Sequence, residues 1–290
     1  MEAFLHQVFS GLATGGIYAS LALALVMIYQ STNHINFAQG EMAMFSTYLA
    51  WTMAQAGFPF WVAFGATIAI SFVAGVIIER VVIRPVENAP VLSVVTVFVA
   101  LLVILNSIAG WIYTYTIKTF PSPFPAAPPF GNRYISSHEL GTIGITLVML
   151  VLLYCFFRFT PLGLAMRAAA QNPVSSKLAG IRVSWMLALG WGLAAAVGAV
   201  AGVLVAPVIY LEPNMMAGVL LYAFAAALMG GIDSPFGAVV GGFLVGVLEN
   251  LLGAYLIGTE LKLTVALAII IIVLLVKPSG FFGKVFVRRV

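Results

Sequence analysis

The chain is built from long apolar runs separated by short polar ones, and the runs set its architecture. Apolar stretches cover residues 8–29, 60–78, 91–113, 142–157, 185–209, 236–257 and 262–276, with two shorter ones at 42–56 and 217–230. About 20 apolar residues carry a helix across the hydrocarbon of a bilayer. The pattern therefore predicts an all-α polytopic membrane protein with eight or nine membrane-crossing helices.

Both short runs border sequence of another kind. Residues 30–41 read Gln-Ser-Thr-Asn-His-Ile-Asn-Phe-Ala-Gln-Gly-Glu, and residues 230–237 read Gly-Gly-Ile-Asp-Ser-Pro-Phe-Gly. Glycine and proline permit non-helical backbone, and amide, hydroxyl and carboxylate side chains can bond the groups so freed. At membrane depth such backbone is tolerated only in buried or water-lined places, and one interruption in each half of a chain marks the central site of many transporters. The pattern thus predicts two discontinuous helices. Candidate path-lining or helix-end residues are Asn36, Phe37, Gln39, Gly40 and Glu41 in the first interruption, and Gly230, Gly231, Asp233 and Ser234 in the second. Glu249 joins them, because an ionisable group at the bilayer centre costs about 2.5–3.5 kcal/mol. Two interfacial loops would be equally polar and glycine-rich, so that reading stands beside the first. His34 is either a ligand contact or a histidine satisfied within its own loop.

Composition fits a lipid solvent. The 290 residues are 62% hydrophobic and 8% charged, with a mean hydropathy of +1.11, whereas soluble domains carry about 25% charged residues. A cytosolic enzyme, a nucleic-acid binder and a disulfide-stapled secreted module are excluded. The single cysteine, Cys155, lies inside an apolar run. Before position 41 the only formal charge is Glu2. A removable signal needs a positive first segment, so residues 8–29 are expected to stay as a membrane helix.

Charge placement gives sidedness. Ten of the thirteen Lys and Arg residues fall in segments 79–90, 158–184 and 277–290. An even spread would put about two there, and positive residues favour the cytoplasmic side. These segments, and with them the C-terminus, are expected inside. Segments 114–141, 210–217 and 258–262 then fall outside. The segment 118–141 holds Pro121, Pro123, Pro125, Pro128 and Pro129, which make a stiff extended tract. It is either a connector or a docking surface for an extracytoplasmic partner.

The segment 158–184 is long for a connection, where about 4–6 residues is usual. Its alanine-rich piece around Ala165–Ala170 favours helix, while Pro173 and Gly180 break it. A short helix across the membrane base, small side chains facing away, is predicted. Pairs of glycines four apart, Gly11 and Gly15, Gly198 and Gly202, Gly237 and Gly241, Gly242 and Gly246, are read as helix packing. No phosphate-binding loop or zinc-protease motif occurs in the sequence, and catalysis has little support.

Four groups of residues occur in one order along the chain. They are Ile35-Asn36-Phe37-Ala38-Gln39-Gly40-Glu41; Ile78-Glu79-Arg80 with Arg84-Pro85; Arg167-Ala168 with Gly180-Ile181; and Gly230-Gly231-Ile232 through Gly237, Gly241-Gly242 and Glu249. Together they resemble the permease subunits of branched-chain amino-acid ABC importers. The resemblance implies an ABC importer permease fold across residues 1–290 as one transmembrane domain of the bacterial inner membrane. It implies a transport subunit without cofactor, metal or enzymatic activity of its own. Its expected partners are a homologous second permease, two cytoplasmic ABC ATPase subunits that hydrolyse the ATP, and a periplasmic amino-acid-binding protein. It implies that Gly163, Arg167, Ala168, Ala169, Ala170, Gln171, Asn172, Ala179, Gly180 and Ile181 form the element gripped by the ATPase. Relatives of this kind also carry other amino acids, amides or urea, and an ion-coupled secondary carrier is the rival from another class.

Overall fold

A computed structural model describes residues 2–125 and 135–283; Pro128, Pro129, Lys284, Arg288 and Arg289 lie outside the described residues. Among those described, helices form nearly everything. They are α1 Glu2–Thr32, α2 Gln39–Gln55, α3 Phe60–Ile78, α4 Val91–Tyr113, α5 Ser137–Phe159, α6 Pro161–Gln171, α7 Pro173–Leu178, α8 Val183–Ile209, α9 Met216–Gly230, α10 Pro235–Leu252 and α11 Lys262–Val276. Wider π-type turns extend α3 over Glu79–Ile83 and α10 over Gly253–Ile257. Six of the helices are long and apolar enough to cross a membrane. Two shorter apolar ones, α9 and α11, bring the apolar set to eight among the described residues, and the 17-residue α2 lies beside them. At 1.5 Å per residue, 15-residue helices such as α9 and α11 span roughly 22 Å, short of the ~30 Å hydrocarbon core.

The helices differ from expectation mainly at their ends. The first interruption is shorter than the polar sequence suggested. Helix α1 continues through Thr32, Asn33 takes a left-handed φ of 54°, and α2 starts at Gln39. Gln39, Gly40 and Glu41 are therefore helical, and only residues 33–38 are not. Asparagine tolerates that backbone better than most residues. The second interruption shrinks to 231–234, because the Ser234 hydroxyl accepts from the Gly237 N–H at 3.0 Å and Pro235 opens α10. Helix α5 begins at Ser137, so the end of the 118–141 segment is helical; the Glu139 carboxylate accepts from the Ser136 N–H at 2.7 Å and holds that start.

The chain divides into two compact units. One comprises residues 27–123 and 145–216, the other residues 1–26, 124–144 and 217–290. The core of the first is α8, packed against α2 and α3 through small residues. A Cβ added at Gly75 would lie 2.7 Å from the Trp191 carbonyl, and one added at Gly202 would lie 2.7 Å from that of Ala43. Ser71 donates to Ser46 at 2.7 Å between α3 and α2, and Trp191 stacks on Phe98 of α4. In the other unit the start of α1 meets α10 backbone to backbone. A Cβ at Gly11 would fall 2.8 Å from the Cα of Val247, and one at Gly15 2.9 Å from that of Phe243. Gly242 and Gly246 complete the seam, as the spacing of these glycines foretold. The best 18-residue window of α1 is 89% buried and that of α8 78%, against 17% in α4 and α5. With no water to hide from, the apolar surface of α4 and α5 is left to lipid and neighbouring chains.

Candidate functional site

In the first unit, the break between α1 and α2 is wired by its own amides. Asn36 and Gln39 are fully buried. The Asn36 Oδ1 accepts from the Ala38 N–H at 3.0 Å, and its Nδ2 donates to the Gln39 Oε1 at 3.4 Å. The Gln39 Nε2 donates to the Ala194 carbonyl of α8 at 3.0 Å. These two candidates anchor the break to the central helix. The His34 ring bonds the Thr32 carbonyl in the same turn, which answers its two readings in favour of a locally satisfied loop histidine.

Glu41, one turn into α2, is 6% exposed. Its Oε2 accepts from Asn106 Nδ2 of α4 at 3.3 Å. Asn106 also donates to the Pro213 carbonyl at 3.0 Å and to Asn214 Oδ1 at 3.1 Å, and accepts from Tyr115 at 3.2 Å. Sequence reasoning passed over Asn106. Its signal is a lone amide two-thirds of the way along the apolar run 91–113.

In the second unit, Glu249 is the centre of a cluster from four helices. It is 5% exposed; its Oε2 accepts from the Tyr18 hydroxyl of α1 at 2.8 Å, and Lys262 Nζ of α11 stands 3.8 Å from its Oε1. Lys262 also donates to Asn250 Oδ1 at 3.1 Å, and Asn250 donates to Thr14 at 3.0 Å. Tyr222 of α9 stacks on Tyr18 with ring centroids 4.8 Å apart. Glu249 is thus tied into helix packing.

Gly230, Gly231, Asp233 and Ser234 form the tight turn between α9 and α10. The Phe281 and Phe282 N–H groups donate to the Met229 and Gly230 carbonyls at 2.8 and 2.9 Å. The turn therefore sits against residues 277–283, the described start of the C-terminal basic segment.

The segment 158–184 folds as two short, capped helices. Thr160 caps α6 by accepting from the Gly163 N–H at 3.0 Å, and Asn172 caps α7 by accepting from the Ser175 N–H at 2.9 Å. Both have proline at their first position, as favoured there. Gly180 follows α7 with a φ of 81°. Two of the small residues do not face away, contrary to expectation. Ala169 is fully buried and Gly163 is buried. A Cβ at Gly163 would fall 2.7 Å from the Cα of Phe157. Gly163 lets the start of α6 lie close on the end of α5, and α6 packs on α8. The outward face is aliphatic and polar instead, with Leu162, Leu164, Val174 and Leu178 exposed beside Gln171, Asn172, Ala179 and Gly180. Ala168, Ala170 and Ile181 are half-buried. Arg167 lines a recess with Met27, Gln30 and Ser31 of α1 and Met186 of α8; its Nε is shut from solvent. Among the candidates for partner contact, Gly163, Arg167 and Ala169 therefore face the rest of the chain. Nearby, Arg80 lies 3.8 Å over the Trp185 ring and 3.8 Å from the buried Glu79 carboxylate.

Apolar helices broken around buried amides, with a capped helix pair carried on their ends, describe a multi-pass membrane protein. The family model for the permease component of branched-chain amino acid transport systems matches residues 7–274. LivH of Escherichia coli K12, a high-affinity branched-chain amino acid transport system permease protein, is 33% identical over 99% of this chain and 98% of its own. BraD of Pseudomonas aeruginosa, of the same description, is 32% identical over the same shares. A probable LivH of Methanocaldococcus jannaschii is 29% identical over 91% and 87%. This chain belongs to the branched-chain amino acid transport permease family. The solved structure of PsaBC from Streptococcus pneumoniae in complex with Fab covers 96% of this chain and 91% of its own at 13% identity and a TM-score of 0.49, too distant to argue from.

Proposed function

We propose that the chain is the inner-membrane permease subunit of an ABC importer for branched-chain amino acids, acting as a single transmembrane domain. A homologous second permease, two cytoplasmic ATPases and an extracytoplasmic binding protein complete the system. The observation that carries the reading is the α6–α7 pair. It is capped at both helices, held close to the end of α5 at Gly163, packed on α8, and presents an uncovered aliphatic face with four leucine and valine side chains. A connector needs none of this; a handle for a cytoplasmic motor needs all of it.

Sidedness supports the same reading. If α6 is cytoplasmic, the end of α1 beside it is cytoplasmic too. Nine crossings then put the start of α1 outside and Lys277 inside, in agreement with the cation distribution. The turn at 231–234, bonded to residues 281–282, falls on the inner side as well.

Transport follows from these parts. A loaded binding protein docks outside and the ATPases close on ATP. The α6–α7 handle is displaced, and α5 and α8, joined to it at residues 159 and 183, follow. In one unit, Asn36, Phe37, Gln39, Gly40 and Glu41 are the path candidates. In the other, Gly230, Gly231, Asp233 and Ser234 are candidates at the turn between α9 and α10, and Glu249 anchors the helices. Because the binding protein selects the cargo, the permease needs only weak polar contacts with it.

Crosslinking tests this assignment. In a Cys155→Ser background, Gln171→Cys should join a cysteine in the groove of the co-expressed ATPase. No crosslink with uptake intact refutes the handle. Proteoliposomes separate the importer from the secondary carrier: uptake should require ATPase, binding protein and ATP together, and an ion gradient alone should drive none.

A further inference from the structure

The segments that follow the C-terminal ends of α4 and α8 are joined by a non-helical pairing. Lys118 and Leu211, 93 residues apart in sequence, exchange two backbone hydrogen bonds, each 2.9 Å, as a single isolated antiparallel pair. So short a pairing is marginal on its own.

Both arms of this pair are strained. Thr114, ending α4, has φ 65° and ψ 164°; Tyr210, ending α8, has φ 65° and ψ 162°. That region is essentially reserved for glycine, and other residues stay there only while surrounding contacts hold them. The chain meets the same geometry after α10 with Gly258, at φ 81° and ψ 162°. At the α10 connection the backbone is relaxed, whereas at the two paired connections it is loaded.

Asn106 is the contact that holds both arms. It accepts from Tyr115 of the first arm, and donates to Pro213 and Asn214 of the second and to Glu41 of α2. The Lys118 ammonium lies 5.2 Å over the Trp51 ring of α2. Two residues beyond Lys118, Phe120 is buried, and from Pro121 the chain enters the stiff tract.

We propose that residues 114–118 and 210–214 form an extracytoplasmic latch that parts in each transport cycle, with Asn106 as its positioning residue. This rests on the permease reading above, which places these residues outside. A protein docking on the proline tract pulls on Lys118, three residues away. Once the single pair parts, the strain at Thr114 and Tyr210 relaxes and favours the open arrangement, so a modest docking force suffices.

The test uses the whole transporter in proteoliposomes, with Lys118→Cys and Leu211→Cys in the Cys155→Ser permease. Oxidation should join the two cysteines and lower amino-acid uptake at least tenfold, and reductant should restore it. Full uptake with the bond formed overturns the latch, as does failure of the cysteines to join. In parallel, Asn106→Leu should raise ATP hydrolysis in the absence of binding protein several-fold. A merely structural role would lower hydrolysis with and without binding protein alike, and that result, or unchanged hydrolysis, counts against the proposal. If the Cys155→Ser parent itself imports no amino acid, the permease reading has failed instead.

Discussion

Lys262→Met is the sharpest probe of the buried cluster in the second unit. The substitution keeps the length of the side chain and removes its charge, leaving Glu249 with the Tyr18 bond but no cation. At 3.8 Å and an effective dielectric near 20 the pair attracts by about 4 kcal/mol, part of which desolvation cancels. Removing one partner of a buried pair costs about 3–5 kcal/mol. Lys262 retains 27% side-chain exposure, so the low end applies. At about 2–4 °C per kcal/mol for a chain somewhat smaller than this one, the melting temperature should fall by roughly 6–12 °C. The assay is thermal unfolding of the purified protein in detergent, at one fixed scan rate because membrane-protein unfolding is commonly irreversible. Glu249→Gln supplies the other side of a double-mutant cycle. A neutral amide no longer needs a cation, so the double variant should be no less stable than Lys262→Met alone. Additivity within about 0.5 kcal/mol would show that the two side chains are neighbours without being coupled, and would refute the reasoning.

Two other substitutions follow from the packing. Gly246→Val sets a branched side chain into the backbone of Gly11 and Gly15, with its Cβ 2.6 Å from the Gly11 carbonyl; the expected outcome is loss of the monodisperse peak in size-exclusion chromatography, while Leu244→Val, on the exposed face of the same helix, should elute as the parent does. Gln39→Leu removes an acceptor of the Asn36 amide and the side-chain donor to the Ala194 carbonyl, each hydrogen bond being worth about 0.5–1.5 kcal/mol net, and should lower both melting temperature and uptake, whereas Gln39→Glu should restore neither because the donor to Ala194 is gone.

How far the sequence carries can be judged from particular residues. Every apolar run became a helix, because in a bilayer the backbone has no alternative partner than itself, and hydropathy reports that necessity directly. The breaks were located but drawn too wide. Gln39 and Glu41 are polar because of what they bond in α8 and α4, and nothing in their neighbours distinguishes that from loop polarity. Gly163 and Ala169 were assigned to the wrong face for a related reason. Small residues serve close approach to a partner and close approach to the protein's own helices equally well, and only the position of α5 decides between them. Glu249 was visible as a costly charge, but Tyr18 and Lys262 were not visible as its partners, since 231 residues separate Glu249 from the tyrosine. Asn106 was missed because one amide in an apolar run scarcely alters its hydropathy.

The aliphatic face of α6 and α7 also bears on how the subunit is made. Leu164, Val174 and Leu178 are 59%, 70% and 86% exposed in the isolated chain, a concentration of bare hydrocarbon that invites chaperones and proteases. A copy synthesised ahead of its motor would carry its own degradation tag, so cells that make this protein are best served by producing it in step with the chain that covers those leucines.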